Sequence, residues 1–174
     1  GMWEPYQMEL LQKELRSSGY KGKVANVSDL FKHPMNAIVS LGGCSAAFVS
    51  DEGLIATNYH CIESSYLQFN SNAETDLFET GFVARTKDAE KRSAPGARVY
   101  VTIESSNITK QVLDGLTDDT EAVYRAKIIE DNKKEIIKKC ETSDEVECRV
   151  RSFFSGETYK QDQVVKLKDN RLVY

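Results

Sequence analysis

The segment "GGCSAAFVSDEGLIATNYHC", residues 42–61, predicts the fold of the first part of the chain. Two apolar stretches flank the turn "DEGL", a pattern typical of an antiparallel β-hairpin. If Glu52 and Gly53 form a two-residue loop, opposed residues have numbers that sum to 105, which places Cys44 opposite Cys61. At a non-hydrogen-bonded pair the two backbones are close enough for a disulfide. We therefore predict a hairpin closed by a Cys44–Cys61 disulfide, with two buried free thiols as the alternative.

Cys140 and Cys148 are a second pair that is close in sequence. Four cysteines allow three connectivities, and the sequence alone does not choose among them. A Cys140–Cys148 bond would join two helices across "ETSDEVE". Disulfides favour an oxidising compartment, so we expect a periplasmic or secreted protein. The stretch "GMWEPYQMELLQKEL" has no basic region and no apolar core, so we expect that a signal peptide is absent or already removed.

Composition excludes several classes of partner. The 174 residues suit one domain, or one domain with part of a second. A net charge of −4 argues against a nucleic acid or an anionic membrane as the partner, because neither would attract this surface. No apolar run approaches the roughly 20 residues that a membrane-spanning helix needs. We therefore expect neither a nucleic-acid nor a membrane partner.

The pattern of the chain changes after residue 106. "ARVYVTIES" at 97–105 alternates between apolar and polar residues and predicts a strand. Residues 107–157 are strongly charged and predict helices, with Thr142 and Glu145 resembling a capping box for the second of them. Residues 158–174 return to strand character. The predicted fold class is therefore β with a helical insertion (α+β).

His60 is one of two histidines in the chain, and we interpret it as a candidate general base. A base needs a restrained backbone, because proton transfer requires hydrogen-bond reach to the nucleophile. A structural or exposed histidine is the ordinary alternative. A zinc site from His33, Cys44, His60 and Cys61 is not favoured, because the ligand spacing is wrong and adjacent ligands rarely chelate together. A Cys61 nucleophile is not favoured either, because neighbouring strand residues point to opposite faces.

The pattern Thr57-Asn58-Tyr59-His60-Cys61 resembles the T-x-x-H-C histidine segment of chymotrypsin-like serine peptidases. More specifically, the whole chain resembles the N-terminal part of the bacterial dipeptidyl-peptidase 7 and 11 family. Family members usually have a second histidine where this chain has Tyr59, and often Thr-Gly at Ser45-Ala46. The resemblance rests on "GMW" at 1–3, the segment 42–61, "TGFVA" at 80–84, "ITKQVLDGL" at 108–116, "SFFSGETYK" at 152–160 and "KDNRLVY" at 168–174.

The resemblance implies a partial chymotrypsin-like antiparallel β-barrel followed by the start of an inserted helical domain. Residues 1–106 would be the N-terminal part of the peptidase domain, 107–157 the start of the insertion, and 158–174 the return strands. It also implies a serine-type enzyme that releases dipeptides from oligopeptides with free N-termini. No metal and no cofactor is implied, and the complete enzyme would be a homodimer.

The resemblance gives His60 the role of base and places the catalytic Asp and Ser outside these residues, in the remainder of the same protein. No nucleophile segment is present, and Ser152 and Ser155 are not candidates. We therefore expect the 174 residues alone to be inactive. The alternative is a non-catalytic secreted module that uses a peptidase-like hairpin for binding or as a scaffold. Tyr59 and the chain end at Tyr174 motivate this alternative.

Overall fold

The computed structural model describes residues 4–174, with Tyr6 described by its backbone alone. The Gly1–Trp3 segment that contributes to the family resemblance lies outside them. The chain divides into two compact units. The first unit contains the chain up to Val99 together with Asp169–Tyr174, and the second contains Tyr100–Lys168.

The strands of the first unit are short, and those of the second unit are long. The strands are β1 (Ile38–Ser40), β2 (Ser45–Phe48), β3 (Ile55–Thr57), β4 (Lys91–Arg92), β5 (Val99–Asn107), β6 (Val146–Phe153), β7 (Thr158–Leu167) and β8 (Arg171–Leu172).

Among residues 4–174, a single helix, Ala122–Cys140, is longer than two turns. The α-helices are α1 (Gln12–Ser17), α2 (Ala25–Ser28), α3 (Leu77–Thr80), α4 (Thr109–Val112) and α5 (Ala122–Cys140). Single turns of other helix types lie at Pro5–Glu9, Met35–Ala37, Tyr59–Cys61, Glu63–Gln68, Lys87–Ala89 and Phe154–Gly156. Within residues 4–174, no helix combines the length and the apolar composition needed to cross a membrane.

In the first unit, β1, β2 and β3 form an antiparallel meander in the order β3-β2-β1. The predicted hairpin is present, but its predicted register is wrong. Ala46 pairs with Thr57, so paired numbers sum to 103 rather than 105. The reason is a four-residue loop, closed by a 2.8 Å hydrogen bond from the Val49 N–H to the Leu54 carbonyl. Gly53 in this loop has a φ of +88°, a conformation that glycine adopts without steric cost.

The core of the first unit lies under the segment that follows β3. Tyr66, Leu67, Leu77 and Leu172 are buried together, and Ile62, Phe82 and Ala97 pack against them. Burial of each large side chain stabilises the unit by roughly 1.5–3 kcal/mol. The chain after β3 is thereby held against the unit.

The second unit consists of a strand layer and a helix layer. Its strands follow the order β5-β7-β6, and β6 and β7 pair antiparallel from Val146 with Val165 to Phe153 with Thr158. The apolar face of α5 packs on a cluster of Ile108, Val112 and Tyr159. The residues of α5 in this contact are Ile129 and Ile136. The strand predicted at 97–105 is present as β5.

The expectation that residues 107–157 are helical is wrong for their last third. α4 and α5 are helices, but 146–153 form strand β6 rather than a second long helix. Its alternating side chains match a period of two, with Cys148 and Val150 directed to the helix side of the hairpin. The Cys140–Cys148 bond consequently joins a helix to a strand and not two helices. The domain ranges 1–106, 107–157 and 158–174 remain a prediction.

Candidate functional site

His60 lies in the middle of a single 3₁₀ turn, Tyr59–Cys61, that directly follows β3. Asn58, before the turn, is extended, with a φ of −78° and a ψ of 149°. The turn is closed by 3.0 Å hydrogen bonds from the Cys61 N–H to the Asn58 carbonyl and from the Ile62 N–H to the Tyr59 carbonyl. The His60 side chain is exposed. The histidine therefore projects from a turn rather than from the end of a strand.

Two restraints, one on each side of His60, connect this turn to the start of β2. The Thr57 hydroxyl donates a 2.9 Å hydrogen bond to the Ser45 carbonyl. The Cys44–Cys61 disulfide joins the residue after His60 to the residue before Ser45, with a Cα–Cα distance of 6.0 Å. Because both restraints end on neighbouring residues, they fix the backbone of the turn at two points. A histidine held in this way has a defined direction, which a general base requires.

The disulfide is present, although the register that led to its prediction is not. In the observed register Cys44 precedes β2 and Cys61 lies beyond β3, so the bond is not a cross-strand pair. The 3₁₀ turn directs the chain back toward β2 and brings Cys61 within bonding distance. The second predicted bond, Cys140–Cys148, is also present.

The segment after the turn is a π-helix, Glu63–Gln68, which the sequence does not signal. The Ile62 carbonyl accepts from both Tyr66 and Leu67, each at 3.1 Å. This arrangement buries both side chains in the core, and burial raises the pKa of the Tyr66 hydroxyl. π-Helical turns are rare and frequently accompany functional sites. Here the turn fixes the chain immediately after the histidine.

The imidazole lies beside the disulfide. One ring nitrogen of His60 and the sulfur atoms of Cys44 and Cys61 all lie within 4.8 Å of one another. The premise that adjacent residues 60 and 61 point to opposite faces is therefore wrong, because a 3₁₀ turn rotates successive side chains by about 120° and not 180°. As a disulfide, however, neither sulfur is a thiolate, so Cys61 is not a nucleophile and the pair does not ligate a metal in this state.

The other predicted residues lie elsewhere. His33 is exposed in the loop before the first strand and is not part of the histidine–cysteine cluster. Ser152 lies in β6 and Ser155 in the turn that follows it, and both belong to the second unit. Among the described residues, no carboxylate hydrogen-bonds or forms an ion pair with His60. The site within these residues is therefore His60 and the two restraints.

Comparisons with known proteins assign the family. A family model described as Peptidase S46 matches residues 1–174, the entire chain. The chain is 38% identical, over its full length, to an Asp/Glu-specific dipeptidyl-peptidase of Shewanella putrefaciens, of which it covers 23%. It is 34% identical over 143 residues to dipeptidyl-peptidase 7 of Porphyromonas gingivalis, which corresponds to 80% of this chain and 19% of the relative.

The fold is similar to that of a solved relative. The crystal structure of Porphyromonas endodontalis DPP11 in complex with substrate matches with a TM-score of 0.80 at 23% identity. The match covers 99% of this chain and 26% of that protein. The chain thus spans about a quarter of the length of the proteins it resembles. Both units have the arrangement of antiparallel strands with few helices that this match supports.

Proposed function

Because the chain belongs to the peptidase S46 family, we propose that it is the first part of a serine exopeptidase that releases dipeptides from the free N-termini of oligopeptides. His60 is the general base of this enzyme. The observation that carries the assignment is the pair of restraints that fix the turn of His60 from both sides. Relatives with the name dipeptidyl-peptidase, at 38% and 34% identity, support the reaction class.

The reaction needs groups from outside these residues. The remainder of the protein supplies the serine nucleophile and the acid that orients the base. The imidazole of His60 accepts the proton of the serine hydroxyl as the oxygen attacks the peptide carbonyl, then donates it to the leaving amine. Water hydrolyses the acyl-enzyme in a second step that uses the same base. The exposed position of His60 leaves its ring accessible to that serine.

In this proposal the meander β1–β3 is part of a chymotrypsin-like β-barrel. Support comes from three antiparallel strands, a histidine directly after the third, and a disulfide that returns to the start of the second. The segment 107–157, with α4 and α5, is the start of an inserted domain. Further strands from the remainder of the protein complete the barrel.

The two disulfides support a periplasmic or secreted location, because such bonds persist in oxidising compartments. A protease-protection assay on intact cells of the source organism tests the location. The homodimer implied by the family resemblance is tested by light scattering on the complete protein.

The experiment that tests the assignment compares histidine variants of the complete protein. His60→Ala should lower kcat about 10⁴-fold or more for dipeptide release from a peptide with a free N-terminus, because loss of the base removes most of the triad's effect. His33→Ala, at an exposed position away from the disulfide cluster, is the matched control, and its kcat should stay within about twofold of wild type, because such surface substitutions usually change free energies by less than about 0.5 kcal/mol. A His60→Ala variant that remains folded and active would overturn the role of His60.

Substrate blocking tests the reaction class separately. The complete protein should release dipeptides from a free peptide and not from the same peptide with an acetylated N-terminus. A peptide with Asp or Glu near its free N-terminus is the first choice of substrate, since one relative at 38% identity is named an Asp/Glu-specific dipeptidyl-peptidase. If the complete protein does not react with a serine-directed fluorophosphonate and cleaves neither peptide, the result would support the alternative of a non-catalytic binding module.

A further inference from the structure

The arrangement of His60 beside a disulfide has a consequence independent of peptide hydrolysis. Three atoms that can ligate a metal, one from each of Cys44, His60 and Cys61, already lie within 4.8 Å of one another. In a tetrahedral zinc site, neighbouring ligand atoms are separated by roughly 3.5–3.8 Å, given typical zinc–ligand bond lengths. The three atoms therefore need shifts of only about an ångström or two to surround one ion.

We propose that reduction of the Cys44–Cys61 disulfide converts this cluster into a Zn²⁺ site. The two thiolates and the neutral imidazole of His60 supply three ligands, and water supplies the fourth. The chemistry of the donors selects the metal, because thiolate and imidazole together favour zinc over magnesium or calcium. The exposed position of His60 provides room for the water ligand.

The redox step is balanced by a thiol reductant. Two reductant thiols give two electrons to the Cys44–Cys61 bond and become a disulfide, and their two protons pass to the sulfur atoms of Cys44 and Cys61. When Zn²⁺ binds, each of the two cysteine thiols releases its proton to solvent. A small-molecule disulfide reverses the sequence: it accepts two electrons from the two thiolates and two protons from solvent, becomes two thiols, and the metal leaves because the Cys44–Cys61 disulfide has no thiolate to offer.

The fold keeps the three ligands together after the disulfide opens. The hydrogen bond from Thr57 to the Ser45 carbonyl does not involve either sulfur and still joins β3 to β2. The register of β2 with β3 and the burial of Tyr66 and Leu67 also persist. The cysteine Cα atoms, 6.0 Å apart, are already at a separation that two ligands of one zinc ion can adopt.

The second disulfide is a natural control. Cys140 and Cys148 also become thiols on reduction, but both histidines of the chain lie in the first unit, so this pair gains no imidazole ligand within its own unit. It provides at most a two-thiolate site. The replacement of both residues by serine therefore leaves the proposed site intact and removes this background.

The test measures metal content of the complete protein in the Cys140→Ser/Cys148→Ser background. The protein is reduced with a phosphine, which takes its oxygen from water to become the phosphine oxide while the two protons of that water pass to the two sulfurs. It is then equilibrated with Zn²⁺, desalted and analysed for zinc. We expect one Zn²⁺ more per chain in the reduced than in the oxidised sample. Co²⁺ in place of Zn²⁺ should give the thiolate-to-metal charge-transfer absorption that marks cysteine ligation.

Two variants make the assignment to residues. Further replacement of Cys44 and Cys61 by serine should abolish the extra metal. His60→Ala should weaken Zn²⁺ binding at least about tenfold, while His33→Ala should not. Equal zinc content in oxidised and reduced protein would overturn the proposal, and so would zinc affinity that is unchanged in His60→Ala. None of these readouts depends on peptidase activity, so they hold or fail independently of the catalytic role of His60.

Discussion

Each of the two units has a β-hairpin associated with a disulfide, but the two disulfides restrain different parts of the structure. In the first unit the strands β2 and β3 have four and three residues, and Cys44–Cys61 lies outside both of them. In the second unit β6 and β7 have eight and ten residues, and Cys148 is buried inside β6. The first bond restrains an exposed turn, whereas the second fastens a helix to a packed strand.

The difference follows from how much each hairpin stabilises itself. The second hairpin has eight paired positions, and its half-buried Asp162 accepts a 2.7 Å hydrogen bond from Ser105 and forms a 2.9 Å ion pair with Arg151. The first hairpin has three paired positions, too few to position a side chain three residues beyond its end. It therefore needs the disulfide and the Thr57 hydrogen bond. A short hairpin with external restraints can present a reactive group, while a long one serves as a scaffold.

The strongest test of this contrast is removal of each disulfide from the complete protein. Cys44→Ser/Cys61→Ser should lower kcat for dipeptide release at least about 100-fold, because a misplaced base loses several kcal/mol of transition-state stabilisation. Cys140→Ser/Cys148→Ser should leave kcat within about twofold, since its bond touches no catalytic group. Steady-state kinetics on the folded variants measures both values.

Stability measurements supply the control. Loop lengths of 17 and 8 residues predict losses of about 3 and about 2.5 kcal/mol in the free energy of unfolding, so the two variants should be destabilised to similar extents. If the two variants were destabilised to a similar extent but differed greatly in kcat, the result would support a role of the Cys44–Cys61 disulfide in placing the base. Equal loss of kcat in both variants would mean that stability, and not placement of the base, explains the first result.

The Thr57 hydrogen bond predicts a smaller effect of the same kind. Thr57→Val keeps the shape of the side chain but removes the donor to the Ser45 carbonyl, a loss of about 1 kcal/mol. We expect kcat to fall about 3- to 10-fold at an almost unchanged KM, and Thr57→Ser to restore it. Asp162→Asn is the matched control, since it weakens side-chain contacts of the second hairpin and should alter stability without altering kcat.

The two hairpin loops predict a still smaller difference. The first loop has one residue with positive φ, Gly53, whereas the second has Phe154 and Ser155 at φ values of +51° and +56° in addition to Gly156 at +92°. Non-glycine residues in this region cost roughly 1–2 kcal/mol each. Ser155→Gly should therefore raise the free energy of unfolding by about 0.5–1 kcal/mol, the net gain after the greater chain entropy of glycine. Urea denaturation measures it, and a destabilised variant would contradict the interpretation.

Sequence reasoning succeeded where the physical signal was local. The apolar stretches around "DEGL" predict the hairpin, and alternation in "ARVYVTIES" predicts β5, because strand periodicity is visible in a few residues. The cysteine pair and the T-x-x-H-C pattern select His60 as the candidate base, and that role stays a prediction. The register was not predictable, because Ser50 closes a four-residue loop through a side-chain hydrogen bond from the Leu54 N–H that no composition signals.

The largest error came from competing patterns in one segment. "VECRVRSF" alternates apolar and polar residues, which is a strand signal, but it follows Thr142 and Glu145, which match a capping box. The segment forms a strand because its pairing with β7 at eight positions stabilises it more than a capping box at Thr142 and Glu145 would stabilise a helix. The π-helix after His60 was also missed, since its cause is burial of Tyr66 and Leu67 in a core whose members are distant in sequence.

Burial of Tyr66 in the core of the first unit predicts the smallest effect, which is a loss of stability of that unit at alkaline pH. Burial raises the pKa of Tyr66, so the folded protein keeps this hydroxyl protonated at a pH where the unfolded chain ionises it, above about 10. The unfolded state then binds fewer protons than the folded state, and the free energy of unfolding must fall as the pH rises through this range. Tyr66→Phe should remove that part of the decline, and Tyr59→Phe, at an exposed tyrosine, is the control. Urea denaturation from about pH 8 to about pH 11, a range that includes the ordinary tyrosine pKa of about 10, measures both. If the free energy of unfolding fell with the same slope in Tyr66→Phe and in wild type, ionisation of Tyr66 would not contribute to the loss of stability in alkali.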